Sequence, residues 1–258
     1  MPDQNSEKII GIVGGAGPFA GLDLLAKVLD QTAAVYDKDH LTVIHLSQPN
    51  RLPDRTGFLL GETAVNPAHA IFQQLQTLAR AGADIAAIPC NTAHAPVIFD
   101  QVVALLKAAG CSVKFLHMIA ETAVFIQQHY PQMRRIGVLS TTGTYRVKVY
   151  PQFLEPAGFE VVVPHEEIQE TAVTPAIYDP DYGIKAQGCG TAQSREGLMR
   201  AVKDLRQQGA EAVVLGCTEI PLAITEKEVE GMVVIDPTLV LARALIREAD
   251  PGKLRPFS

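Results

Sequence analysis

Ile85-Ala86-Ala87-Ile88-Pro89-Cys90-Asn91-Thr92-Ala93-His94 is the stretch whose reading decides the fold. Four apolar residues run into a proline, then a cysteine, then a polar group. The run is short, almost uncharged and entered through Ala81-Gly82-Ala83-Asp84. It reads as a strand buried on both faces with Cys90 at its carboxyl end. In an open α/β sheet that end faces the ligand crevice. The same pattern returns later: Gly209 to Glu219 matches Gly82 to Thr92 position by position, and places Cys217 where Cys90 stands. Both the glycine pair and the cysteine pair are 127 residues apart. Two equivalent strand ends, each tipped by a thiol, suggest two cysteines facing one ligand.

Outward from that stretch, strands and helices alternate. Ile9 to Val13 reads as a first buried strand, and the turn from Gly14 to Ala20 leads into a helix through Leu22, Leu25 and Leu29. Gly15-x-Gly17-x-x-Ala20 fits the dinucleotide fingerprint, which also wants an acid after the second strand. That strand, Leu41 to Leu46, ends in Ser47-Gln48-Pro49-Asn50 with no acid, so the reading goes against NAD. A glycine turn at Gly15 aiming backbone N–H groups at a carboxylate fits better. Arg51 and Arg55 share a loop, Arg51 as a surface charge and Arg55, in the tighter Pro-Asp-Arg-Thr turn, as an anion binder. Asn66-Pro67 opens a helix with Ile71, Leu75 and Leu78 on one face. A helix follows Cys90 as far as Ala109, and Ser112 to His117 forms a further strand.

The pattern restarts at Arg135 to Thr144, which repeats Ile9 to Pro18: Gly11 and Gly17 pair with Gly137 and Gly143 at a constant offset of 126. Phe159 to Val163 reads as a strand, residues 165–193 as an irregular lid, and Ser194 as the cap of a helix carrying Leu198, Val202 and Leu205. The expected fold class is α/β, with two pseudo-symmetric Rossmann-like lobes, mainly parallel sheets and the active site in the cleft between them. Residues 1–115 and 233–258 are assigned to the first lobe and 116–232 to the second. The strand Val233 to Ile235 and the helix Pro237 to Glu248 are expected to return to the first.

Composition narrows the function. The chain of 258 residues is 47% hydrophobic with a net charge of −6, which speaks for a globular protein and against nucleic acid as partner. No apolar run approaches the roughly 20 residues of a membrane span. The start, Met1 to Lys8, is polar and lacks a signal-peptide core, so a cytoplasmic location is expected. The four cysteines, 90, 111, 189 and 217, form no C-x-x-C, and no H-x-x-x-H occurs, so no metal is expected. Nothing points to a Schiff-base lysine, so no cofactor is expected either. Cys111 and Cys189 read as bland free thiols.

Two thiols on opposite walls of a cleft suit one task. One thiolate removes a proton from carbon, and the opposed thiol delivers a proton to the other face, which inverts the centre. Each cysteine lies near a helix N-terminus that favours the thiolate. Asn91, Thr92, Thr218 and the loop Thr141-Thr142-Gly143-Thr144 can donate to a carboxylate or an enolate-like oxygen. His94 either orients Cys90 or sits at the core edge. Glu219 could hold a substrate ammonium or tune Cys217, and Lys185 rides on the lid. A Cys-His nucleophile would leave the duplicate thiol unexplained. A two-lobed small-molecule binding protein fits the fold but needs no paired thiols.

These residues resemble the aspartate/glutamate racemase superfamily, its aspartate racemase branch most closely, from Gly11 through Pro237. The most specific motifs are Pro89-Cys90-Asn91-Thr92-Ala93-His94, Gly216-Cys217-Thr218-Glu219, Leu52-Pro53-Asp54-Arg55-Thr56 and Thr141 to Thr144. The resemblance implies a cofactor-independent isomerase that racemises an acidic, dicarboxylic amino acid, with Cys90 and Cys217 as the acid/base pair. It implies that Asn91, Thr92, Thr141 to Thr144 and Thr218 surround the amino-acid head, that Arg55 and Lys185 meet the distal carboxylate, and that the enzyme is a homodimer. The chain departs from the pattern at Ala16, where methionine is common, and in its longer lid, Tyr182 to Arg195. Maleate isomerase and hydantoin racemase of the same superfamily also use two cysteines and are the alternatives.

Overall fold

The computed structural model describes residues 7–257, so Met1 to Ser6, part of the polar start, lie outside the described residues. The first half runs β1 (Ile10–Gly14), α1 (Pro18–Gln31), β2 (Val43–Ser47), α2 (Arg55–Leu59), α3 (Ala68–Arg80), β3 (Ile85–Ala87), α4 (Pro96–Ala108) and β4 (Lys114–Phe115). The second runs α5 (Met118–His129), β5 (Arg135–Ser140), α6 (Thr142–Arg146), α7 (Pro151–Leu154), β6 (Glu160–Val162), α8 (Glu166–Ile168), a π-helical turn Gln169–Val173, α9 (Thr174–Tyr178), α10 (Ile184–Gln187), α11 (Ala192–Gln207), β7 (Ala212–Gly216), β8 (Glu228–Val229), β9 (Met232–Ile235) and α12 (Pro237–Ala249). The sheets have the orders β2-β1-β3-β4 and β6-β5-β7-β9-β8, parallel throughout except for the β8–β9 hairpin.

The duplication extends to individual packing contacts. Gly11 pairs with Ala86 across β1 and β3, and Gly137 with Val213 across β5 and β7. A Cβ on Gly11 would come within 3.0 Å of Ala83 and 3.3 Å of Leu78; on Gly137 it would meet Leu205 at 3.0 Å and Ala210 at 3.2 Å. Leu205 and Ala210 stand 127 residues after Leu78 and Ala83, and Gly137 stands 126 after Gly11. In each lobe a missing side chain lets a helix leucine settle on the sheet.

The strand Val233 to Ile235 does not return to the first lobe. β9 pairs with β7 and is the fourth strand of the second repeat, as β4 is of the first. The closing helix does cross. α12 packs on α1 and β3, joining Leu241 and Leu245 to Ile10, Ile12 and Leu24. α5 makes the reciprocal move: it follows β4, yet Ile119 and Ile126 pack with Ile136 and Val138 of the second sheet. The halves thus exchange their last helices.

Three local readings change. In α1 the buried row is Ala20, Leu24 and Val28, while Leu22 is 54% and Leu29 42% exposed. Apolar residues occupy more than one stripe of this helix, and the small Ala20-Gly21 edge decides: a Cβ on Gly21 would press on His45 and on Gly14 of β1. Residues 165–193 are mostly helical rather than irregular. Pro175 cannot donate a backbone hydrogen bond, and the π-helical turn just before α9 absorbs the interruption. The cap of α11 is Thr191, whose hydroxyl accepts from the Ser194 N–H at 3.1 Å while the Ser194 hydroxyl accepts from the Thr191 N–H at 2.9 Å.

Candidate active site

β3 and β7 end side by side. After Ala87 the chain passes Ile88 and Pro89 to Cys90, which starts a 3₁₀ turn, Asn91–His94. After Gly216 come Cys217, Thr218 and Glu219. The Thr218 hydroxyl donates to the Pro89 carbonyl at 3.1 Å, joining the two strand ends across the lobes. Further hydrogen bonds cross the same boundary. The hydroxyls of Thr92, Thr141 and Thr144 lie 3.1–3.2 Å apart, Tyr150 donates to Asn91 Oδ1 at 2.6 Å, and Thr56 meets the Tyr178 hydroxyl at 3.1 Å.

These contacts enclose a cavity of about 230 Å³ lined by both cysteines together with Ala16, Asp54, Arg55, Thr56, Asn91, Thr92, Thr141, Tyr178, Lys185, Thr218 and Glu219. Cys90 is 6% and Cys217 3% exposed. Cys111 and Cys189 lie elsewhere, half-buried and exposed respectively. A cavity of about 470 Å³ on the far side of Thr144 and Tyr150 holds neither Cys90 nor Cys217.

Charge in the cavity is dense. Arg55 begins α2 behind Asp54, whose carboxylate caps that helix through the Thr56 and Gly57 N–H groups at 3.0 and 3.1 Å. The guanidinium donates to the carbonyls of Pro53 and Ala16 at 3.1 and 3.0 Å. Burial acts to lower the Arg55 pKa, and Cys90, Asp54 and Glu219 outweigh it. Lys185 is ion-paired with Glu219. Burial works against the charge on each of these partners, yet each is held more firmly ionised by the other. The Cys217 thiol donates to the same carboxylate at 3.0 Å; burial, and then the Glu219 charge, push its pKa well above that of an ordinary thiol. Tyr178 is pushed up to about 12, first by burial and then by the nearby Cys217 and Glu219.

Of the side chains that line the cavity, two have a buried donor with no hydrogen-bond partner among the described residues: Asn91 Nδ2 and Arg55 Nε. Tyr150 occupies Asn91 Oδ1 and so leaves Nδ2 as the free end of the amide. Buried donors are costly to leave unpaired, so both mark places for an acceptor from a ligand.

Some candidates stand back from the cavity. Gly15 has φ +91° and packs against the backbone of Gln48 and Pro49; Gly17, not Gly15, is the glycine pressed against the site, facing Glu219. Thr142 bonds to Thr174 at 3.0 Å, and Gly143 lets α6 approach Thr56, so of the loop only Thr141 lines the cavity, with Thr144 bonded behind it. Arg51 is exposed. His94 is fully buried, its Nδ1 against the Cys90 carbonyl at 2.9 Å and its ring stacked on Phe99. Tyr178, Thr56, Asp54 and Ala16 were not among the site residues expected from the sequence. Asp54 and Thr56 flank Arg55 in the Pro-Asp-Arg-Thr turn, which is the signal that could have found them. Tyr178 had none, being in the stretch read as irregular. No three His, Cys, Asp or Glu side chains among the described residues are grouped to hold a metal ion. No described helix is long and apolar enough to cross a membrane.

The family model for Asp/Glu/Hydantoin racemase matches residues 13–245. This chain belongs to that family. Membership makes it an enzyme, an isomerase of the cofactor-independent Asp/Glu racemase superfamily. The broad specificity amino-acid racemase RacX of Bacillus subtilis is 25% identical over 250 residues, covering 92% of this chain and 96% of the relative. Among solved structures, the aspartate racemase of Picrophilus torridus superposes with a TM-score of 0.79 at 28% identity, covering 96% of each chain. An aspartate racemase homologue from Pyrococcus horikoshii OT3 gives 0.71 at 27% identity, covering 95% of this chain and 99% of the other.

Proposed function

We propose that this racemase inverts the α-carbon of aspartate or glutamate with Cys90 and Cys217 as its two bases. The observation that carries the proposal is that the duplicated strand ends bring both thiols to the lining of one small cavity. In each direction one sulfur, as thiolate, takes the α-proton, and the other delivers its proton to the opposite face. Asn91 Nδ2 offers the α-carboxylate a donor that has no partner of its own. A second carboxylate in a cavity shielded from water needs a cation to offset its lost hydration, and Arg55 and Lys185 supply two. A homodimer, which the resemblance implies, and the cytoplasmic location expected from the sequence belong to the same proposal.

The test is to incubate the protein with L-aspartate, L-glutamate and maleate in D₂O. The expected result is α-deuterium together with decaying optical rotation for one or both amino acids, and unchanged maleate. Conversion of maleate to its trans isomer would favour the maleate isomerase reading. Binding without turnover of any of the three would favour a binding protein.

A further inference from the structure

The cavity already holds an anion on one of its cations. Glu219 Oε1 takes the Lys185 ammonium, and Glu219 Oε2 accepts from the Cys217 thiol at 3.0 Å. The groups facing this carboxylate are Lys185 from α10, Arg55 from α2, Tyr178 from α9, and Cys217 and Thr218 on its own strand end. Glu219 is 3% exposed. In this arrangement Cys217 keeps its proton, which is the wrong state for a base. An acidic substrate brings a side-chain carboxylate that competes with Glu219 for the same ammonium. Lys185 can answer that competition: it rides on a four-residue helix that ends at the left-handed Gly188, and a second cavity of about 200 Å³, lined by Gly17, Pro18 and Phe19, lies against the ion pair.

We propose that Glu219 is the proton store of the thiol pair, loaded when an anionic substrate side chain draws Lys185 away from it. The proposal rests on the racemase reading above. A buried carboxylate that loses its cation becomes more basic, because a lone charge is costly there, and the Cys217 thiol at 3.0 Å holds the nearest proton. Cys90, Cys217 and Glu219 share two protons. At rest both thiols are protonated and Glu219 is ionised. When Lys185 turns to the substrate, the Cys217 proton passes to Glu219, leaving a thiolate and a carboxylic acid. The thiolate takes the α-proton, and Cys90 gives its own proton to the opposite face and becomes the thiolate, beside Arg55. When product leaves, Lys185 returns to Glu219, whose proton passes to Cys90 through water in the cavity. No proton is gained or lost. A substrate without a side-chain anion leaves Lys185 where it is and forms no base, so selectivity enters through proton placement as well as through binding.

Succinate, which has both carboxylates and no amino group, is the probe. Thiolate ultraviolet absorbance is followed while succinate or propionate is added, with binding measured by calorimetry and aspartate racemisation assayed in parallel. Wild type should show a thiolate rise with succinate and none with propionate. Glu219→Gln should bind succinate without the rise and lose about 10²-fold or more in kcat. Lys185→Met should show no succinate-dependent change. The proposal is overturned if bound succinate produces no rise in wild type, if succinate does not bind, or if either variant keeps the rise. An enzyme that racemises aspartate but fails these tests loses only the proton store, whereas one that racemises neither acidic amino acid loses the reading beneath it.

Discussion

At the scale of single residues, the chemistry of the cavity depends on which of its groups carry charge. Arg55 is braced by two backbone carbonyls, and its unpaired Nε is the donor left for a ligand. A charged hydrogen bond is worth roughly 1.5–3 kcal/mol, so Arg55→Ala should lower kcat/KM for aspartate and glutamate by about 10- to 150-fold and leave alanine nearly unaffected. Arg55→Lys should rescue only in part, because an ammonium lacks the planar fork. Equal losses on all three substrates would remove Arg55 from the distal carboxylate. His94 and His117 pack edge to face, and burial lowers them to about 3 and about 4. Their folded pKa values lie below the ordinary 6.5, so the unfolded chain binds more protons as acid is added. The stability they protect is intact above about 6.5 and is lost as pH falls through about 4. Chemical denaturation at stepped pH should show that decline, and His117→Phe should reduce it; a flat profile from pH 7 to 4 would contradict the buried neutral pair. At this scale both cysteines and Arg55 were readable because motif and spacing marked them. The Lys185–Glu219 ion pair was not, because it joins residues from α10 and the end of β7 that no periodicity relates.

At the scale of elements, the repeat makes a symmetrical prediction. Gly11 and Gly137 each leave room for a helix leucine, Leu78 and Leu205, so alanine at either site must press on that leucine and on the neighbouring alanine, Ala83 or Ala210. Overpacking costs about 1–3 kcal/mol, and Gly11→Ala and Gly137→Ala should lower stability by similar amounts within that range in denaturant titrations. A neutral result at either site would break the equivalence of the lobes. The strands around both cysteines were legible because buried parallel strands read as continuous apolar runs. α1 was misread because its leucines occupy two stripes and only the glycine edge against β1 chooses between them. The helix from Glu166 to Tyr178 was missed because Pro175 signals a break, and the π-helical turn that accommodates it has no sequence mark.

For the whole molecule, exchanged helices and cross-lobe hydrogen bonds tie the halves together. Lys27 on α1 adds an ion pair at 2.6 Å to Asp236, the cap of α12. Heating should therefore give a single transition with matching calorimetric and van't Hoff enthalpies, and two resolved transitions would show that the lobes melt separately. The two-lobed plan was readable from the repeat, but the placement of the last strand was not. Sequence order makes β9 and α12 look like one returning unit, whereas pairing with β7 holds the strand in the second sheet and the apolar face of the helix belongs to the first. On the proposed function, the two-lobed plan sets two thiols against one carbon. The most direct measurement is racemisation of L-aspartate and L-glutamate by wild type, Cys90→Ala and Cys217→Ala, with folding of each variant checked by circular dichroism. Each folded variant should lose nearly all turnover on the substrate that wild type racemises, while either one racemising at close to the wild-type rate would contradict the two-base account.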